Sequence, residues 1–354
     1  MASSSAAGQA RWELENAVQS VSQSDYDALY RWDPAQQREL QQERPWDADR
    51  AYFKSVRISA LAVLKMAIHA RSGGDLEVMG VMQGKVLGNE FVVLDAFPLP
   101  VEGTETRVNA QAEAYEYMVE FLETSKAAGK PENIVGWYHS HPGYGCWLSG
   151  IDVGTQMTNQ RYQEPFLAVV IDPHRTEAAG KVELGAFRTY PEGSAPAGDG
   201  QSGYQSVPLE KIEDYGVHAN QYYPLEVSYF KSRTDEALLS ALWSSYWVRI
   251  LSSAPLAQAR SLTVGRTSDI ARKLANLSDA MSKSRPAIAG PSADRAQQHQ
   301  RGGSSNARSL QQISRDAAQL AEEELTGLAS LCSKRLLLSR PASRAAGLAP
   351  MELS

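Results

Sequence analysis

His139 and His141 stand two residues apart at the end of a short apolar run, Ile134–Tyr138, and ten residues separate His141 from Asp152. In an extended strand, residues two apart point to the same face, so both imidazoles are offered to one point in space. Pro142 and Gly143 end the run and turn the chain. The segment that follows is long enough to bring Asp152 back at the start of a helix. Two histidines and one carboxylate leave the fourth position of a tetrahedron for water, the arrangement of a catalytic rather than a structural zinc site. Zinc lowers the pKa of such a water toward ~7, giving a hydroxide nucleophile near neutrality.

A centre of this kind needs a group that takes the water proton and returns it to the leaving amine. Glu77 opens the apolar run Glu77-Val-Met-Gly-Val-Met. A carboxylate among such neighbours is costly unless it faces a cleft or a partner, which makes Glu77 the expected general acid/base. Ser149, three residues before Asp152, is the expected donor to the oxyanion of the tetrahedral intermediate. Cys146 lies close by, but a thiolate nucleophile needs a depressed pKa and its own base. The histidines are better used on zinc, and Cys146 is expected to line the groove or fill space. A zinc nucleoside deaminase needs His/Cys/Cys ligands with a C-x-x-C, and only one cysteine lies in this region. Of the remaining histidines, His69 falls in a helix, His174 in a polar turn and His299 in a linker. His218 reads as packed or hydrogen-bonded rather than as a ligand.

The elements that must position these groups follow from pattern. Ser59–Arg71 reads as a helix capped by Ser59 and stopped by Gly73-Gly74. Glu77–Gln83 and Glu90–Phe97 read as strands with a hairpin turn across 84–89. A polar loop, Val101–Val108, leads to an amphipathic helix from Asn109 to about Ala128. Ile134–Tyr138 reads as a strand, Asp152–Tyr162 as a helix, and Phe166–Ile171 and Lys181–Arg188 as strands. This interleaving predicts an α/β domain over 51–230, a central β-sheet flanked by helices.

Residues 1–50 form an N-terminal arm. Its first ten residues are expected to lack fixed structure, Trp12–Tyr30 shows a weak helical pattern, and Trp12, Trp32 and Trp46 should pack it onto the domain. Residues 192–206 are a Gly/Ser/Ala/Pro insertion. A helical extension spans 234–283, with helices at Thr234–Leu251, carrying Trp243 and Trp247 on one face, and at Ser268–Ser282. A linker, 284–306, precedes a C-terminal helix over 307–340 and a tail, 341–354. That helix, set off by a linker, is expected to dock other chains. A fragment ending at Arg233 is expected to fold and to lose this docking.

The composition, 43% hydrophobic and 21% charged with a net charge of −6, suits a soluble globular protein. It provides no basic stripe for nucleic acid or an anionic membrane. Two cysteines, Cys146 and Cys332, are too few for a disulfide framework, so a reducing compartment is expected. MASSSAAGQA has neither the basic nor the apolar region of a secretory signal. No stretch approaches the ~18 apolar residues of a membrane span.

The pattern Glu77 … His139-x-His141-x7-Ser149-x2-Asp152 resembles that of the JAMM (MPN-plus) metalloproteases. Val101–Ala110, Gly136–Asp152 and Lys211–His218 are similar to the signalosome branch of that family. The resemblance runs from about Tyr52 to Trp247 and fades in the arm, the insertion and everything after Leu251. It implies a deaminase-like α/β MPN domain with a C-terminal helical region. It implies one zinc per chain on His139, His141 and Asp152, with Glu77 and Ser149 catalytic. The implied reaction is hydrolysis of the isopeptide bond between a cullin lysine and a ubiquitin-like modifier of the Nedd family. The implied partners are other signalosome subunits, modified cullin-containing ubiquitin ligases and the modifier, in the cytoplasm and nucleus. By spacing alone Glu102, Glu105 and Arg107 read as a solvated charged loop. The resemblance implies gating or substrate contact at Glu105 and Arg107, with Arg107 pairing an active-centre carboxylate when the loop is closed. The alternatives are a non-catalytic scaffold of the same fold and a transcription co-regulator. Scaffold relatives lack some ligands, whereas this chain keeps all three and the base.

Overall fold

A computed structural model of the protein describes residues 2–102, 110–191, 193, 206–242, 260–283, 307–325 and 328. The arm carries α1 (Ala2–Glu15), a two-residue strand β1 (Gln19–Ser20), α2 (Gln23–Tyr30), α3 (Pro34–Glu43) and α4 (Pro45–Ala48). β2 (Ser55–Ser59) runs straight into α5 (Ala60–Ser72), and β3 (Val78–Leu87) and β4 (Glu90–Glu102) form a hairpin. Then come α6 (Ala110–Ala127), β5 (Asn133–Ser140), α7 (Gly150–Gln163), β6 (Leu167–Ile171), α8 (Pro173–Ala179) and β7 (Leu184–Thr189). α9 (Ile212–His218), β8 (Tyr222–Lys231), α10 (Arg233–Leu242) and α11 (Arg260–Lys283) follow, and 307–325 is a last helix, α12.

The eight strands lie in the order β1-β8-β2-β4-β3-β5-β6-β7. β8 pairs with β7 through Tyr222–Leu225 and with β2 through Glu226–Phe230, so the sheet curls back on itself through that strand. α5 covers one face, burying Val63, Leu64 and Met66 with Ile58, Phe91 and Val169. α6 and α7 cover the other, where Phe121 stacks on Phe97 and Val153 packs with Trp137, Phe166 and Val170. Covered on both faces, β6 is a continuous apolar run with all five residues buried. The expected α/β architecture, a central sheet flanked by helices and followed by C-terminal helices, is the one observed.

Several boundaries differ from the sequence reading. The hairpin turn is only Gly88-Asn89, because 84–87 continue β3 against β4. A Cβ at Gly84 would lie 2.0 Å from the Val92 carbonyl oxygen, so glycine there marks close strand approach rather than a turn. Residues 2–10 are helical, in α1, which Trp12 anchors at 3% exposure in the main core. Trp46 is also buried, and Lys85 donates to the Ala28 and Arg31 carbonyls, tying down the arm. β2 and β8 are additional strands, parallel partners of each other. His174 lies on α8 rather than in a turn. α11 begins at Arg260, earlier than Ser268, and Trp243 and Trp247 lie outside the described residues. Leu239 of α10 is fully buried in the main core, so a fragment ending at Arg233 would open that core. Among the described residues no helix is long and apolar enough to cross a membrane.

Candidate metal centre

β5 carries a bulge. Met82 of β3 faces Gly136 while Gln83 faces Ile134, leaving Val135 as an extra residue. The bulge resets the two-residue alternation. Val135 and Tyr138 enter the core beneath α5, whereas Trp137 joins the opposite core. His139 follows Trp137 on that face and stacks on its ring, with centroids 4.6 Å apart and an interplanar angle of 11°. Trp137 is held in turn, its indole N–H donating to Gln156 Oε1 at 2.8 Å.

His141 lies just past β5, its amide donating to the Ile171 carbonyl at 2.9 Å. Its Nδ1 is 3.0 Å from the Gly145 carbonyl oxygen, which places the proton on Nδ1 and leaves the Nε2 lone pair for the centre. The loop that makes this bond turns at Gly143 and Gly145, with φ of 86° and 91°, where glycine is needed. Both amides donate to the fully buried carboxylate of Asp172 at 2.9 Å. Asp172 also caps α8 by accepting from the Arg175 amide. One buried acid thus shapes the metal loop.

Asp152 arrives through a capping box at the start of α7. Ser149 is the N-cap, and its amide and hydroxyl both donate to Asp152 Oδ2, at 2.9 and 2.7 Å. That Oδ2 lies 3.4 Å from His139 Nε2 and 3.6 Å from His141 Nε2, and the two Nε2 atoms are 3.0 Å apart. Lone pairs converging in this way repel unless a cation lies among them, so the three residues fit a metal ion. Burial opposes ionisation of Asp152, but the imidazoles outweigh it and hold the carboxyl well below its usual range. Burial likewise opposes charge on His139, and Asp152 outweighs it, raising the imidazole above its ordinary value. In His141 burial prevails and the value falls.

The centre opens into a cleft of about 520 Å³. Glu77 stands exposed on its wall immediately before β3. The Tyr144 hydroxyl donates to Glu77 Oε1, and the Tyr144 ring stacks on His141 at 4.5 Å. Burial and the Glu77 charge push the Tyr144 hydroxyl upward, so it stays a donor. Trp147 meets His141 edge-on at 5.4 Å and bonds the Tyr144 carbonyl. Ile151 and Thr155 of α7 line the same cleft, with Lys211, Asp214 and His218 on and beside α9 forming the facing wall.

The structure therefore brings His139, His141, Asp152, Glu77 and Ser149 to one cleft. Glu105 and Arg107 lie outside the described residues, as do the Glu102 side chain, His299 and Cys332. Cys146 is buried, its thiol bonding the Glu183 carbonyl and pushed up by burial, so it fills space rather than attacking. His69 bonds the Tyr138 hydroxyl at 2.9 Å and His174 pairs with Asp75 at 3.3 Å. His218 lies 3.6 Å from Asp214 and reaches the cleft itself. Tyr144, Asp172 and the α9 wall are additions to the sequence reading. For Tyr144, an aromatic flanked by two glycines between metal ligands was the available signal.

The family described as JAB1/Mov34/MPN/PAD-1 ubiquitin protease matches residues 51–165, and the Cop9 signalosome subunit 5 C-terminal domain matches 252–338. COP9 signalosome complex subunit 5a of Arabidopsis thaliana is 55% identical over 339 residues, 95% of this chain and 93% of that protein. Subunit 5 of Oryza sativa subsp. japonica is 52% identical over 352 residues, 98% of this chain and 96% of its own. That of Drosophila melanogaster is 59% identical over 268 residues, covering 76% and 81%. Contrary to the expectation that resemblance fades after Leu251, the similarity runs through α11 and α12.

Proposed function

The chain belongs to the family of COP9 signalosome complex subunit 5, and from that premise we propose that it is the catalytic subunit of a signalosome. Its reaction is zinc-dependent hydrolysis of the isopeptide bond that joins a Nedd-family modifier to a cullin subunit of a ubiquitin ligase. The observation that carries this reading is the convergence of His139 Nε2, His141 Nε2 and Asp152 Oδ2 on a cleft that Glu77 also lines.

His139, His141 and Asp152 hold the zinc. When bound there, zinc supplies an acidified water and a Lewis acid for the scissile carbonyl. Glu77 takes the proton of the attacking water on its carboxylate and delivers it to Nζ of the departing lysine. Tyr144 keeps Glu77 oriented through its hydroxyl and clamps the His141 ring by stacking. The Ser149 hydroxyl, bonded to Asp152 in the resting geometry, donates to the developing oxyanion during turnover. The buried indoles of Trp137 and Trp147 exclude water from the ligand side.

In this reading 51–230 is the catalytic domain, 234–283 and 307–340 are assembly helices, and the protein works in cytoplasm and nucleus beside other signalosome subunits. Glu105 and Arg107 gate the cleft. What supports the gate is register, since Glu102 pairs with Val78, so the loop leaves β4 beside the residue that follows Glu77. Arg107→Ala should raise cleavage by the free chain, and an unchanged rate removes the gate.

The central test is release of the modifier from a modified cullin by the reconstituted signalosome, followed on gels. Cleavage should require this subunit, stop with a zinc chelator and return on adding zinc. Chelator-resistant cleavage, or cleavage with His139→Ala undiminished, overturns the reading.

A further inference from the structure

Lys273 of α11 is only 7% exposed. Its ammonium reaches the Val207 carbonyl at 2.6 Å, Asp269 Oδ2 at 2.9 Å and Asp316 Oδ2 at 2.9 Å. Those three contacts match the three donors an ammonium has. Asp316, on α12, is 2% exposed. Asp269 uses its other oxygen to accept from the Leu209 amide at 2.9 Å. A buried lysine with every donor spent is costly to assemble and geometrically strict. It is an odd fixture for a pair of helices whose only task is to meet other chains.

Its position gives the reason. Val207 and Leu209 lead into Lys211 and α9, which form one wall of the metal cleft. From α9, Asp214 Oδ1 accepts from the Gly150 amide at 3.2 Å, at the start of the helix that carries Asp152. A second contact reaches the metal loop directly, since Leu262 Cδ1 lies 3.3 Å from where a side chain at Gly143 would begin. The bonds thus run without a break from α12 to the helix end that presents a metal ligand.

We propose that Lys273 is a positioning residue for the metal cleft. It locks α12 and α11 onto the 206–211 segment, and that segment sets α9 and the start of α7. The C-terminal helices therefore brace the cleft from behind in addition to whatever partners they meet. The kinetic part of this proposal rests on the isopeptidase reading, and the structural part stands apart from it.

The test uses the full-length, zinc-loaded chain and the signalosome reconstituted with it. Lys273→Met keeps the stem and removes the charge. It should retain one zinc per chain and speed amide hydrogen exchange in 206–218 by about tenfold. In the assembly it should lower kcat by about tenfold with KM within about twofold, because the main change is at the start of α7, which presents Asp152. Asp316→Asn, which leaves the Val207 and Asp269 contacts in place, should change both readouts in the same direction by about threefold. Should Lys273→Met not fold, that milder variant decides the matter. Unaltered exchange in 206–218, or acceleration spread equally over β5 and β6, overturns the proposal. The exchange measurement involves no substrate, so it can fail or succeed whatever the cullin assay shows.

Discussion

The hydroxyl of Ser149 and the carboxylate of Asp152 hold each other: Ser149 Oγ donates to Asp152 Oδ2 at 2.7 Å and accepts from the Asp152 amide at 3.3 Å. The bond that starts α7 is therefore also the bond that aims a metal ligand. Helix capping and metal geometry are one arrangement here.

Ser149→Ala should in consequence have two separable effects. Loss of the cap should cost about 1 kcal/mol of stability, read as a lower urea midpoint. Loss of the proposed oxyanion donor should lower kcat by ~10²–10³ while zinc stays bound. A rate loss matched by zinc loss would reduce Ser149 to a support for Asp152.

His139→Ala and Asp152→Asn should each leave the chain folded and without zinc, as metal analysis after dialysis would show. With only two ligand side chains left, the remaining groups cannot close three positions around the ion. Full zinc occupancy in either variant would remove that residue from the ligand set.

Glu77→Gln retains shape and loses the proposed proton acceptor. It should keep zinc and lose two orders of magnitude or more in kcat. Tyr144→Phe keeps the stacking on His141 and removes only the hydroxyl bonded to Glu77. Its expected cost is about tenfold in kcat with zinc intact, the scale of one lost hydrogen bond to a charged group. A Tyr144→Phe enzyme at the wild-type rate would make that bond incidental.

Asp95 offers a test of acid stability away from the metal. Burial opposes its ionisation, but Lys65 at 2.5 Å and Lys130 at 2.8 Å prevail and hold the carboxyl below its ordinary value. A depressed folded value means the stabilisation is present above the unfolded carboxylate value of ~3.9 and is lost as pH falls through the folded one. Both lysines are partly exposed, so the gain is about 1 kcal/mol at neutral pH. Urea midpoints of metal-stripped wild type and Asp95→Asn should differ near pH 7 and converge below about pH 4. A gap that persists in acid would assign the effect to packing.

The ligand set was legible in the sequence because each part is local. His139 and His141 share a strand end, and Ser149 and Asp152 share one helical turn. The place of Glu77 on the cleft wall was legible as an anomaly, an acid opening an apolar strand. Asp172 was not, because its role depends on meeting Gly143 and Gly145, 29 and 27 residues earlier in the chain. β2 and β8 escaped for the same reason, since Ile58 opposite Tyr229 is a parallel pairing across most of the domain. Trp12 was legible as an anchor of the arm and is buried in the core, but the Ala/Ser-rich residues before it did not advertise the helix they form. The start of α5 was legible because Ser59 caps it, whereas α7 begins two residues before the expected Asp152, at a Ser149 cap the sequence reading did not assign, and α11 begins earlier than Ser268.

The closure of the sheet through β8 bears on the life of the chain outside its assembly. Among the described residues every strand but the two-residue β1 is flanked on both sides over part of its length, although β4 beyond Val93 pairs with β3 alone. An unpaired strand edge is the usual template on which one polypeptide recruits another into aggregates, and closure through β8 shortens the edge that is left. The sticky surface lies instead on helices, where Leu274, Met281 and Leu325 are 44%, 52% and 66% exposed. A subunit synthesised ahead of its partners thus offers a shortened strand edge for β-type polymerisation, and much of its hazard while waiting lies on helical faces that another helix can cover.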